Sequence, residues 1–257
     1  MIIRKSPREI EQMAKAGAVV ARTHELMREH VRPGVATEEL DRIAEEFIRS
    51  EGGVPTFKGY RGYPAALCIS RNDMVVHGIP GRDALAEGDV VAIDVGVTLG
   101  GFVADSAWSY AVGEISEEAQ RLLEVCEASL YAGIEQARIG NRIGDIGAAV
   151  QHVTEDAGFS VVRSLVGHGV GRHYHEDPHT PNFGEPGRGP RLSEGMTIAI
   201  EPMITAGSPD VLVDDDGWTI RTQDGSMSAH FEHTVAITAD GPRILTPRVG
   251  VPGGVGV

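Results

Sequence analysis

Four carboxylates stand alone inside stretches that otherwise favour burial: Asp94 in VVAIDVGV, Asp105 in FVADSAW, Glu201 in TIAIEPM and Glu232 in HFEHTVAI. Unpaired buried carboxylates are costly, and two of them side by side repel unless a cation sits between them. One or two divalent ions remove both difficulties. With His168 added as a nitrogen donor the set is oxygen-rich with one imidazole, which suits Mn, Fe, Co or Zn rather than a closed Cys/His structural site. A carboxylate-bridged pair of ions, separated by ~3.5–4 Å, is a common layout for hydrolysis. The competing reading of Asp94 and Asp105 is a pair of solvent-facing side chains on a hairpin.

The elements that must position these residues follow from local pattern. Val90 to Trp108 reads as a β-hairpin with Gly100-Gly101 as its two-residue turn. With Leu99 paired to Phe102, Asp94 faces Ala107 and Asp105 faces Gly96, so the two acids are diagonal neighbours on one face. Ser6-Pro7-Arg8-Glu9 is a capping box with Pro at the first helical position. The helix it opens turns Ile10, Met13, Val20 and Met27 inward, leaves His24 at the surface or in a groove, and stops at Pro33-Gly34. Further helices are expected from Thr37 to about Glu51, from Ser116 to about Ala137, and from Gly140-Asn141 to Gly158. Strands are expected over Leu67–Ile79 (turning at Arg71-Asn72-Asp73), Ser160–Val166, Met196–Thr205 and Ser228–Ala239. A Gly- and His-rich loop runs to about Pro190, and Asp214-Asp215-Asp216-Gly217 is a turn.

The chain contains itself twice. LAEGDVVAID, ending at Asp94, aligns at an offset of 107 with LSEGMTIAIE, ending at Glu201, and Gly34 matches Gly140 at an offset of 106. Val76-His77-Gly78-Ile79 resembles Gly167-His168-Gly169-Val170. The repeat implies one catalytic domain, 1–257, made of halves at approximately 1–110 and 111–248, followed by a flexible tail, 249–257.

With 41% hydrophobic and 23% charged residues, the 257-residue chain has the composition of a globular domain with a sizeable core. A net charge of −14 excludes a broad nucleic-acid or anionic-membrane surface. Two cysteines, Cys68 and Cys126, make no disulfide framework, and Cys126 reads as a small core residue. No apolar leader and no run of 18 apolar residues is present, so a cytoplasmic protein is expected.

The five donors, with the aspartates 11 positions apart and the glutamates 31, occur together with three motifs: CISRNDMVVHGIP around His77, GHGVGRHYHEDP holding His168 and His175, and AIEPM around Glu201. Together they resemble the five-ligand set of the methionine aminopeptidases, over Ser6 to about Leu245. The resemblance is to the short type I form. It implies an α/β (α+β) "pita-bread" fold, with two pseudo-symmetric halves around a curved antiparallel sheet and helices outside. It also implies that Asp105, His168, Glu201 and Glu232 hold one ion, and that Asp94, Asp105 and Glu232 hold the other. A water or hydroxide bridging the ions would be the nucleophile, and Glu201 its proton acceptor. His77 and His175 would contact the scissile amide without ligating metal.

Tyr60, Tyr63, Cys68, Tyr174 and Trp218 fall where the family places its methionine pocket, although Phe57 and Tyr174 differ from what other type I enzymes often carry. Asn72, Met74 and Ser228 resemble positions that hold a monovalent cation in some relatives. His173, His179, His230 and His233 are expected behind the ligands or in solvent. The implied activity is removal of the initiator methionine from nascent chains whose second residue is small, by a monomer transiently associated with the ribosome, without DNA or membrane binding. An Xaa-Pro aminopeptidase or dipeptidase shares the ligand set. A metal-free binding protein or a creatinase-like enzyme would lack part of it, whereas all five are present.

Overall fold

The computed structural model describes residues 1–248; the expected tail, 249–257, lies outside the described residues. Two helices lead the chain, α1 (Pro7–His30) and α2 (Thr37–Ser50), and a second pair, α3 (Glu117–Gln136) and α4 (Ile143–Asp156), opens its latter part. Between the pairs run β1 (Val54–Pro55), β2 (Cys68–Arg71), β3 (Met74–Val76), β4 (Val90–Leu99) and β5 (Phe102–Ala111). After α4 come β6 (Ser160–Val161), β7 (Gly167–Gly169), β8 (Glu176–Thr180), β9 (Thr197–Ile200) and β10 (Met203–Thr205). The last strands are β11 (Val211–Val213), β12 (Ile220–Thr222), β13 (Ser228–His230), β14 (His233–Thr238) and β15 (Gly241–Ile244). Every described pairing between these strands is antiparallel.

The hairpin β4–β5 is the central piece. Gly100 and Gly101 both hold positive φ (60° and 79°), as a tight turn matched to strand twist requires. Leu99 pairs with Phe102, and the ladder runs unbroken to Val90 and Ala111. β2 and β1 pair with successive stretches of β4. Its side chains are buried almost throughout, because α1 packs on both strands. Val91, Ile93 and Val95 of β4 and Ala104, Trp108 and Tyr110 of β5 join the apolar core there. On the opposite face lie Asp94 and Asp105. α1 itself starts as its sequence dictates: Ser6 Oγ accepts from Glu9 N, Glu9 returns a carboxylate oxygen to Ser6 N at 2.9 Å, and Pro7 sits in the first turn.

In the latter part a sheet of order β15-β14-β9-β7-β8 carries the other donors, with smaller sheets β13-β10-β6 and β11-β12-β3 beside it. Two expected strands are broken. Met196–Thr205 divides at Glu201-Pro202, where proline has no N–H to give the ladder. Ser228–Ala239 divides at Phe231-Glu232, where the chain changes partners: Phe231 N donates to Pro202 O at 3.3 Å and Glu232 N to Ala107 O at 2.7 Å. Ser160–Val166 shortens to β6, the expected loop before Pro190 contains β7 and β8, and β15 is additional. β2 and β3 enter different sheets.

One histidine is placed differently from expectation. His24 is fully buried rather than superficial: its ring stacks on Trp108 at 4.3 Å and 9°. Its Nε2 lies 3.0 Å from the Ser106 carbonyl and its Nδ1 2.9 Å from the Tyr110 hydroxyl. The helical spacing that buries Val20 and Met27 buries His24 with them. Of the four histidines expected behind the ligands or in solvent, His230 and His233 are buried and His173 and His179 are exposed. No helix among the described residues is long and apolar enough to cross a membrane.

Candidate metal centre

Side-chain hydroxyls stitch β5 to the segment 230–234, and this seam brings the acids together. Thr234 Oγ1 donates to Asp105 O at 2.8 Å and accepts from Asp105 N at 2.9 Å. Ser106 Oγ donates to Glu232 O at 2.6 Å, and Ser109 Oγ donates to His230 O at 2.9 Å while accepting from His230 N at 3.0 Å. Glu232 is thereby suspended over the Asp94–Asp105 face. Glu201 follows Ile200, the last residue of β9, whose partner is His233, so Glu201 and Glu232 emerge side by side where that ladder ends.

Donor atoms of Asp105, His168 and Glu232 lie within 4.8 Å of one another, all buried. His168 Nε2 is 3.5 Å from Glu201 Oε1 and 3.9 Å from Asp105 Oδ2. Its Nδ1 lies 2.8 Å from Gly169 O, an acceptor only, so Nδ1 carries the proton and the Nε2 lone pair faces the acids. Asp94 lines the same cavity.

The electrostatics demand a partner that the protein does not supply. Asp94 Oδ1, both Asp105 oxygens, Glu201 Oε1 and Glu232 Oε1 are buried with no hydrogen-bond donor among the described residues. Burial, followed by the charge of neighbouring acids, pushes Asp94, Glu201 and Glu232 well above the usual carboxylate range. Burial raises Asp105 to about 7 and draws His168 down to about 4, leaving a neutral imidazole at neutral pH. Orphaned carboxylate oxygens around one neutral imidazole nitrogen are what a divalent cation binds, and a cation would restore the ionised acids. The donor set fits the metal.

The cavity beside these donors, about 140 Å³, is also lined by His77, His175, Tyr174 and His230 and by the apolar Val76, Leu165, Val166 and Met203. His77 has a left-handed backbone, φ 60°, a strained conformation of the kind found at working sites. Burial lowers its pKa, and burial with the nearby His168 draws His175 to about 3, so both rings are neutral near pH 7. Tyr60 Oη meets His175 Nδ1 at 2.8 Å.

An aromatic wall adjoins. Phe57, Tyr63 and Cys68 cluster with Tyr174 and Trp218, and Tyr60 meets Tyr174 edge-on at 5.2 Å. Tyr63 stands edge-on to Trp218 at 5.1 Å, its hydroxyl 2.9 Å from Gly78 O. Gly96, opposite Asp105, has no side chain because a Cβ there would run into the Phe57 ring. Away from the cavity, Ser228 Oγ donates to the carbonyls of Asn72 (2.9 Å) and Met74 (3.0 Å), so these three residues converge.

His230, expected behind the ligands or in solvent, lines the cavity itself. Its Nε2 is buried and unpartnered among the described residues. The available signal was position: two residues before Glu232 in a strand-like run, it shares that residue's face. His233, by contrast, is occupied away from the cavity, with Thr246 Oγ1 at 3.1 Å and Tyr131 Oη at 3.4 Å.

Residues 11–239 match the model of metallopeptidase family M24. The chain belongs to that family. A methionine aminopeptidase from Clostridium perfringens is 55% identical over 246 residues, spanning 96% of this chain and 99% of that relative. Methionine aminopeptidase 1 from Bacillus subtilis is 52% identical over the same shares. The crystal structure of methionine aminopeptidase from Rickettsia prowazekii superposes with a TM-score of 0.95 at 41% identity, covering 96% of this chain and all of that one. A prolidase from Pyrococcus furiosus, 22% identical with a TM-score of 0.78, shares the fold. The fold is therefore the pita-bread architecture of M24, and the chain is a metal-dependent hydrolase of that family.

Proposed function

We propose that this M24 enzyme is a methionyl aminopeptidase that removes the initiator methionine from nascent proteins whose second residue is small. The observation that carries the reading is the convergence of orphaned carboxylate oxygens with the His168 lone pair, beside an aromatic pocket, in a chain 55% identical to a methionine aminopeptidase. Asp105, His168, Glu201 and Glu232 would hold one ion, and Asp94, Asp105 and Glu232 a second, with Asp105 and Glu232 shared. When bound, two divalent ions (Co, Mn, Fe or Zn) supply a Lewis acid for the carbonyl and an ionised water as nucleophile. A monovalent cation near Asn72, Met74 and Ser228 belongs to the same reading.

The chain's own groups do the rest. Glu201 takes the proton of the attacking water and passes it to the leaving amine. Tyr60 donates to His175 Nδ1, which leaves the Nε2 proton of His175 to hydrogen-bond the peptide. His77 and His175, as neutral rings, orient the scissile amide and stabilise its developing negative charge. Tyr60, Tyr63, Cys68, Tyr174 and Trp218 enclose the methionine side chain in polarizable surface. The small cavity, walled by Val76, Leu165, Val166 and Met203, supports a small second residue. The reading includes one catalytic domain in two halves, 1–110 and 111–248, acting as a cytoplasmic monomer with transient ribosome association.

The test is a peptide panel of Met-Ala-Ser, Met-Phe-Ser and Ala-Pro-Ala, each with and without added Mn or Co. Cleavage of Met-Ala-Ser alone, dependent on metal, is expected. Cleavage of Ala-Pro-Ala alone would move the chain to the Xaa-Pro class, and equal cleavage of Met-Phe-Ser would end the small-residue specificity.

A further inference from the structure

An ion pair sits beside the cavity without belonging to it. Lys5 Nζ and the Glu176 carboxylate lie 2.5 Å apart, and their side chains are only 3% and 4% exposed. They come from sequence positions far apart: Lys5 from the extended segment before α1, Glu176 from the first residue of β8. Burying such a pair gains little stability, because desolvation offsets the attraction. What it does supply is direction, a carboxylate fixed by donors from two sides.

The second donor is local. His173 N donates to Glu176 Oε1 at 3.1 Å, so the same carboxylate closes the loop between β7 and β8. That loop carries Tyr174 and His175 into the cavity, and β7 carries His168. The Lys5 end is equally constrained. Lys5 N donates to Gly195 O at 2.6 Å and Arg4 Nε to Glu194 O at 2.5 Å, tying the segment to the turn before β9. The Met1 ammonium pairs with Asp177. Gly171 and Gly195 have no room for a Cβ, which would collide with the Lys5 side chain and backbone respectively. Space has been left for this lysine.

We infer that Lys5 is a positioning residue for His175: through Glu176 it fixes the loop that aims the imidazole at the substrate. The inference rests on the reading of His175 as a substrate-contacting group. A histidine held by a loop alone wanders further than the fraction of an ångström that productive geometry tolerates. The segment before α1 thus acts as a strap across the foot of the β7–β8 hairpin.

A double-mutant cycle on Lys5→Met and His175→Ala tests it, using kcat/KM for Met-Ala-Ser with added Mn. Lys5→Met should lower kcat/KM about tenfold when His175 is present and less than about twofold when it is absent, because the lysine acts through that ring. The His175 ring resonances of the metal-free protein should shift in Lys5→Met, while those of the exposed His152 stay put. An equal loss in both backgrounds, or no loss, overturns the inference. If Lys5→Met does not fold, Glu176→Gln replaces it, since glutamine still accepts from His173 N but loses the ion pair. If the wild-type chain does not cleave Met-Ala-Ser, the functional reading fails separately, and the His175 resonances alone decide the strap.

Discussion

The two strand pairs that present acids to the cavity are built on different plans. In β4–β5, Asp94 and Asp105 sit two ladder steps apart, diagonal across an unbroken hairpin closed by Gly100-Gly101. In β9–β14, pairing ends at Ile200 and His233, and Glu201 and Glu232 follow at once on facing chains. Like charges directly opposite weaken a sheet, and the diagonal separates them. The second pair has no such separation, and there the ladder stops: Pro202 gives no N–H, and Glu232 N bonds to Ala107 O in the other region. The hairpin is a rigid plate that tolerates its acids; the second pair is a ladder interrupted so that its acids can turn outward.

That contrast can be broken at three points. The largest effect is expected from Glu201→Gln. Removing the proton acceptor while keeping its shape should lower kcat/KM by about 10²–10⁴-fold with circular dichroism unchanged; near-normal turnover would return Glu201 to a purely structural role. Next, Asp105→Asn should weaken Mn binding, read by calorimetry, more than Asp94→Asn does. The first would remove a shared donor, and its loss should exceed the ~10–100-fold typical of groups that only orient ligands. Equal losses would show that Asp105 is not shared.

The smallest effect concerns pH. Burial holds Asp105 at about 7 and keeps Asp94, Glu201 and Glu232 well above the usual carboxylate range in the folded chain, so without metal the native state holds protons that the unfolded chain has released. Stability from these groups is full at low pH and is lost as pH rises through their folded pKa values. His168, drawn down to about 4, and His175, His230 and His233, drawn down to about 3, act in the opposite sense below 6.5, their ordinary value. From pH 6.5 to 8 only the carboxyl effect remains. The metal-free protein should lose up to about 1.4 kcal/mol per pH unit for each carboxyl still protonated. Added Mn should flatten that slope in thermal melts; a metal-free Tm that rises across this window would contradict the buried-acid account.

Much of this was open to a reader of the sequence, for local reasons. The hairpin register follows from Gly100-Gly101 alone, and α1 from its capping box and proline. The acids are conspicuous as polar residues in apolar runs. The break at Glu201 could be seen from Pro202, whereas the break at Glu232 could not, because what draws Glu232 N out of the ladder is a partner far away in the chain, Ala107. β7 and β8 are hidden by composition: GHG and EDPHT carry no β-branched or aromatic pattern, and their neighbours impose the extended form. His24 was legible and misread, since it falls on the buried stripe of α1 and its polar atoms find Ser106 and Tyr110.

The hydrogen bond from Glu232 N to Ala107 O has a consequence for synthesis. The acids are synthesised in the order 94, 105, 201 and 232, so Glu232 is added only when most of the chain precedes it. Until that amide docks, an incomplete chain has no way to gather the full donor set. A chain cut short before Glu232 lacks one of the four buried acids and the amide that ties it to Ala107.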